Sequence, residues 1–176
     1  MNTIRFFIAL LTIVTTLWCF NSCKKDNESP DEKQEQRVQF SGNVNYAEYE
    51  EIDYNVNGNL IVDGSVVFRN TSIITSDLNL NEKGKIVIDT EEDTCHVKIK
   101  GNVNLNDTVL ILHGVLVING DLNVNSKGFI YCMNTSKVMV IHNLNQNGRV
   151  YGFKNILVFG NVNLNEGSIT KDELVD

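Results

Sequence analysis

From Val38 onward, apolar and polar residues alternate along most of the chain, and the alternation restarts at intervals near 20 residues. Gly101-Asn102-Val103-Asn104-Leu105-Asn106 returns as Gly120-Asp121-Leu122-Asn123-Val124-Asn125 and as Gly160-Asn161-Val162-Asn163-Leu164-Asn165. Weaker copies begin at Gly42, Gly58, Ser76 and His142, so the anchor positions step by 16, 18, 25, 19, 22 and 18 residues. The second and fourth positions after the anchor are apolar, as in Leu78 and Leu80, Val103 and Leu105, Leu122 and Val124. The same parity runs ahead of the anchor through Val97 and Ile99, Leu116 and Ile118, Val138 and Val140, Ile156 and Val158. A period of two over some nine residues predicts a strand with these side chains inside. A second strand follows the turn, with Ile86 and Ile88, Val109 and Ile111, Ile130 and Cys132 inward. Repeats of this length with no helical period predict an all-β fold, a single-stranded parallel β-helix (solenoid) of about six to seven coils. Each full coil then serves as the crossover between parallel strands. Right-handed winding is the default, from the usual chirality of such connections.

The 176 residues divide into three parts. Residues 1–22 read as an export signal: Arg5 supplies a positive start, and Phe6 to Phe20 is an apolar run too short to span a bilayer comfortably. Residues 23–37 are polar and read as a flexible tether, and residues 38–176 carry the β-helix. The formal charge is -7; without Arg5 it is 14 basic against 22 acidic residues, or -8, which disfavours nucleic acid as a partner.

Phe20-Asn21-Ser22-Cys23 resembles the lipobox of bacterial lipoproteins, in which Cys23 becomes the lipidated first residue. The following Lys24-Lys25-Asp26-Asn27-Glu28 resembles the start of many lipoproteins of the Bacteroidota. That resemblance implies attachment to the outer membrane through lipid on Cys23, and exposure at the cell surface is open beside a periplasmic location. The repeat style also resembles the bactofilins, small β-helical proteins that polymerise end to end.

Two surfaces are candidates for binding. Asparagines fill positions one, three and five after the anchor, on the outward side; Asn102, Asn104, Asn123, Asn125, Asn161 and Asn163 stand for the set. Stacking places such amides about 4.8 Å apart up the solenoid and about 6.8 Å apart along a strand. They then form hydrogen-bonded ladders, or a polar grating matched to a periodic glycan. Ice is not the expected ligand, because threonine is scattered rather than in rows. Stacking rings are expected beside the amides of a glycan site. The second candidate is an apolar outward stripe in the second strand: Val67, Val87, Leu110, Tyr131, Tyr151 and Thr170. Leu110, Tyr131 and Tyr151 are its candidate partner-interface residues, and Val117, Met139, Leu157, Ile141 and Phe159 add outward apolar groups nearby.

No catalytic set, metal site or cofactor is expected. Asp53-Tyr54-Asn55-Val56-Asn57-Gly58 matches half of a calcium loop, but Gly64 stands at the twelfth position, where a bidentate acid is needed. His96, His113 and His142 sit at different coil positions with no acidic or cysteine partner at their spacing. Cys95 and Cys132 lie two coils apart, about 9.6 Å, so buried free thiols are expected rather than a disulfide. Asp89 to Thr94 is expected to protrude as an acidic loop, and Tyr46 to Tyr54 to break the repeat as an N-terminal cap.

These features predict a non-enzymatic, lipid-anchored envelope module that binds glycan or protein. The alternative is an end-to-end polymer assembled through the coil ends, with a carbohydrate-active enzyme third.

Overall fold

The computed structural model describes residues 39–90 and 96–172, and these build seven coils of three short strands each. Coil 1 holds β1 (Gln39–Ser41), β2 (Val44–Tyr46) and β3 (Tyr49–Ile52); coil 2 holds β4 (Asn55–Asn57), β5 (Leu60–Val62) and β6 (Ser65–Phe68). Coil 3 holds β7 (Ser72–Ile74), β8 (Leu78–Leu80) and β9 (Lys85–Asp89); coil 4 holds β10 (His96–Ile99), β11 (Val103–Leu105) and β12 (Thr108–His113). Coil 5 holds β13 (Val115–Ile118), β14 (Leu122–Val124) and β15 (Phe129–Cys132); coil 6 holds β16 (Lys137–Val140), β17 (Leu144–Gln146) and β18 (Arg149–Tyr151). In coil 7 a short 3-10 turn at Phe153–Asn155 precedes β19 (Ile156–Val158), then β20 (Val162–Leu164) and β21 (Ile169–Lys171).

Equivalent strands stack in parallel into three seven-stranded sheets, which makes about six turns of a parallel β-solenoid. The second sheet aligns Val44, Leu60, Leu78, Val103, Leu122, Leu144 and Val162, so its register reproduces the spacing of the anchors. Longer steps are taken up in corners and strand ends, never in the register of this sheet. The inward columns are almost wholly aliphatic, and Val56, Ile74, Ile99, Leu105, Ile111, Ile118 and Leu122 have no more than 1% of their surface exposed.

The nine-residue alternation is two strands rather than one. The anchor sits at the corner between the first and second sheets, and parity persists through the bend. Glycine is selected there by closeness: a Cβ on Gly120 would lie 2.5 Å from Asn102 Oδ1 and 2.6 Å from the Gly101 carbonyl oxygen. Tyr46 to Tyr54 does not break the repeat either, since Tyr49–Ile52 joins the third sheet in register with β6. Of its tyrosines, Tyr54 lies in the core and Tyr46 packs against it, whereas Tyr49 is 60% exposed. The Tyr46 and Tyr54 hydroxyls are hydrogen-bonded, and Tyr54 donates to Glu50 at 3.3 Å.

Candidate functional site

The outward face of the second sheet carries the asparagines as three ladders of different chemistry. In the position-one column from Asn59 to Asn143 each side-chain oxygen accepts a backbone N–H one coil further on, for example Asn102 Oδ1 from Asp121 at 2.9 Å, Asp121 Oδ1 from Asn143 at 2.9 Å and Asn143 Oδ1 from Asn161 at 3.0 Å. Such a column needs acceptors only, which explains why Asp77 and Asp121 substitute freely for asparagine in it. Position three is an amide-to-amide ladder: Asn104 donates to Asn79, Asn123 to Asn104, Asn145 to Asn123 and Asn163 to Asn145, all at 2.8 Å. Every interior member both donates and accepts, and no acid occurs in it. Ile61 interrupts it in coil 2. Position five pairs Asn125 with Asn106 at 2.9 Å and Asn165 with Asn147 at 2.5 Å, whereas Asn106 turns to the Leu80 carbonyl. The six candidate asparagines therefore share one face, and each ladder amide in position three retains a second N–H beyond its bond to the neighbour.

The third sheet places Glu51, Val67, Val87, Leu110, Tyr131, Tyr151 and Lys171 in one outward column. Thr170 is not in this stripe. It aligns with Val150 in the inward column, because Ile169 points outward on the last coil and reverses the parity that its apolar character suggests. Val67 is buried, and Leu110, Tyr131 and Tyr151 are half-buried. A ring cluster forms around the tyrosines, with a member that alternation alone did not single out. Phe129 lies 5.1 Å from Tyr151, edge to face, and 6.4 Å from Tyr131. Arg149 stands 5.3 Å over the Phe129 ring and Lys171 5.5 Å over the Tyr151 ring. Only residues 126–128 separate Phe129 from Asn125, so rings and amides meet at one edge of the solenoid.

Charge is distributed unevenly. Residues 39–90 hold eight acids and three bases, whereas residues 115–172, which carry the rings, hold five bases and three acids.

A polar cluster was missed because it crosses coils. Asp89 accepts from His113 Nδ1 at 2.7 Å and from Arg69 at 2.6 Å, and Arg69 also approaches Glu51 at 3.8 Å. His113 thus has the acidic partner that its spacing hid, because a register shift between Ile111 and His113 brings it opposite Asp89. The His113 hydrogen bond, with the nearby Arg69 charge, holds the Asp89 carboxyl below its usual value despite partial burial. Burial, with help from Lys98, lowers the His96 imidazole below its usual value.

Asn55 and Asn57 of the half calcium motif lie in β4, and their oxygens are committed to Ile73 N–H and the Thr75 hydroxyl, both at 2.9 Å. Among the described residues no group of three or more His, Cys, Asp or Glu converges as a metal site. Cys132 is a buried free thiol whose pKa burial pushes up to about 12. Cys95, Cys23 and most of the acidic loop lie outside the described residues. Among the described residues no helix is long and apolar enough to cross a membrane. Comparison with family models, curated proteins and solved structures finds no match for this chain.

Proposed function

We propose that the protein is a non-enzymatic, lipid-anchored module of the cell envelope that holds a glycan along the edge where the second and third sheets meet. The observation that carries this reading is the cluster of Phe129, Tyr131 and Tyr151 beside the Asn125 column. Ring faces take up the C–H faces of sugars, and the spare N–H groups of the amide ladder suit hydroxyls. Arg149 and Lys171 lie over two of the rings, in the half of the solenoid where bases outnumber acids, so a uronate-bearing polysaccharide suits the site better than a neutral one. Residues 1–23 support attachment to the outer membrane through Cys23.

All described contacts fall within residues 39–172, so a chain starting at residue 23 with Cys23→Ser keeps them without lipid. Affinity electrophoresis of that protein in alginate, pectate and dextran gels tests the reading. Retardation by the acidic polymers is expected, and Tyr131→Ala/Tyr151→Ala weakens it about tenfold, from about 0.5–1.5 kcal/mol per ring contact. No retardation by either acidic polymer, or full retention in the double variant, refutes the site. Metabolic labelling with palmitate that survives Cys23→Ala refutes the anchor.

A further inference from the structure

The exposed large apolar side chains are concentrated at one end of the solenoid. Apart from Tyr49 they are Ile141, Leu157, Phe159, Val162, Leu164 and Ile169, all in the last two coils. Val162 and Leu164 belong to inward columns; they are 43% and 53% exposed because no further coil of the described residues lies over them. Among the described residues β19, β20 and β21 pair on one side only, which leaves three strand edges without a described partner around the same end.

The two ends differ in charge. Coil 1 presents Glu48, Glu50, Glu51 and Asp53 with no base, and Glu50 lies in an inward column and takes part in the tyrosine network. Docking anything apolar there would bury that carboxylate at high cost. Coil 7 and its leading turn carry Lys154, Lys171, Glu166 and Asp172, which sum to zero. A head-to-head contact is therefore repulsive, and a head-to-tail contact buries Glu50. Among the described residues a tail-to-tail contact meets neither obstacle.

We infer that two copies of this chain associate through coil 7, apolar end against apolar end, about a two-fold axis perpendicular to the stack. Such a contact is isologous, so it closes at a dimer rather than propagating into a filament. The strands that meet are antiparallel, and the two open ends become one continuous core. The contact is made by Val162 and Leu164, the inward-column side chains left exposed at this end, and by the edges of the three last strands, while the outward Leu157 and Ile169 border it.

The test is the mass in solution of the chain from residue 23 with Cys23→Ser, by sedimentation velocity at about 50 µM, with negative-stain microscopy of the same sample. A dimer is expected. Val162→Asp/Leu164→Asp halves the apparent mass with an unchanged circular dichroism spectrum, because both positions are already exposed. Tyr49→Asp, at the opposite end, leaves the dimer intact. A monomeric parent protein, filaments, or a dimer that survives the double substitution each overturns the inference. So does a parent monomer that dimerises only when residues 173–176 are deleted, since that segment would then be the occupant. None of these outcomes depends on glycan binding.

Discussion

Exchanging acid and amide at two neighbouring positions separates the two kinds of ladder. Asp121 and Asn123 sit two residues apart on one rung, yet Asp121 only accepts, from the Asn143 backbone and side chain, whereas Asn123 donates to Asn104 and accepts from Asn145. Asp121→Asn keeps an oxygen where Asn143 needs one, so its cost is expected within about 0.5 kcal/mol. Asn123→Asp replaces a donor by a second acceptor facing Asn104 Oδ1 at hydrogen-bond distance. One hydrogen bond is lost and two bare oxygens are opposed at a half-buried site, which costs about 2 kcal/mol, or about 4–8 °C in Tm for a protein of this size. The variant also acquires a pH dependence. A protonated carboxyl donates to Asn104, so the folded-state pKa of the introduced carboxyl is raised above the ordinary aspartate value near 3.9. The penalty is then absent below about pH 4 and grows as pH rises through the folded-state value. Thermal unfolding followed by far-ultraviolet circular dichroism at several pH values measures both effects. Equal losses in the two variants, or a deficit for Asn123→Asp that widens on acidification, would refute the distinction.

Gly120→Ala forces a Cβ to within 2.6 Å of a backbone oxygen in the coil below, and a loss of about 1–3 kcal/mol in urea unfolding is expected. A loss below about 0.5 kcal/mol would show that the corner yields. Cys132, with 1% of its surface exposed and its thiol pKa pushed up to about 12 by burial, is expected to resist Ellman's reagent at neutral pH until urea is added, in the chain from residue 23 carrying Cys23→Ser/Cys95→Ser. Stoichiometric labelling of the native protein contradicts its burial. Asp89 has a folded-state pKa below its ordinary 3.8, so its contribution is present above that value and lost as pH falls through the lowered one. Asp89→Asn should cost about 0.5–1 kcal/mol at neutral pH and less at about pH 2, because the contribution is lost as pH falls below 3.8. The same cost at both pH values would mean that the ion pair with Arg69 and the hydrogen bond with His113 contribute nothing.

The core columns were legible because stacking forces one side-chain parity on every coil, and an aliphatic residue in the wrong parity would face water. Val103, Leu105, Leu122 and Val124 therefore announce both the strand and its register. What alternation could not mark is a bend that preserves parity, and so the corner at Gly101 or Gly120 passed for continuous strand. Where residues lose their neighbours, the rule reverses. Ile169 is apolar but faces outward on an uncovered coil, which displaced the stripe from Lys171 to Thr170. Contacts across coils were hidden for a related reason. Corner lengths differ from coil to coil, so Asp89 and His113, 24 residues apart, or Phe129 and Tyr151, share no fixed spacing. The asparagine ladders lie between these cases: their columns are visible in the repeat, but only the hydrogen bonds distinguish a column that tolerates acid from one that does not.

Rings and open end lie in the same half of the molecule, and this ties binding to assembly. The ring cluster occupies coils 5 and 6, and coil 7 is the proposed contact. In a tail-to-tail pair, coil 6 of one copy and coil 6 of the other are three steps apart, about 15 Å along the stack. A polysaccharide that reaches both edges would be held twice, and the second contact would be effectively intramolecular. Val162→Asp/Leu164→Asp then weakens retention by long polymers while leaving short oligosaccharides of the same composition unaffected. Tyr131→Ala/Tyr151→Ala weakens both to the same degree per site and leaves the dimer intact. If the end substitutions reduced binding of short oligosaccharides, the glycan site would have to reach β20, beyond the Lys171 of coil 7 that it already includes, and the division between binding surface and assembly surface would be wrong.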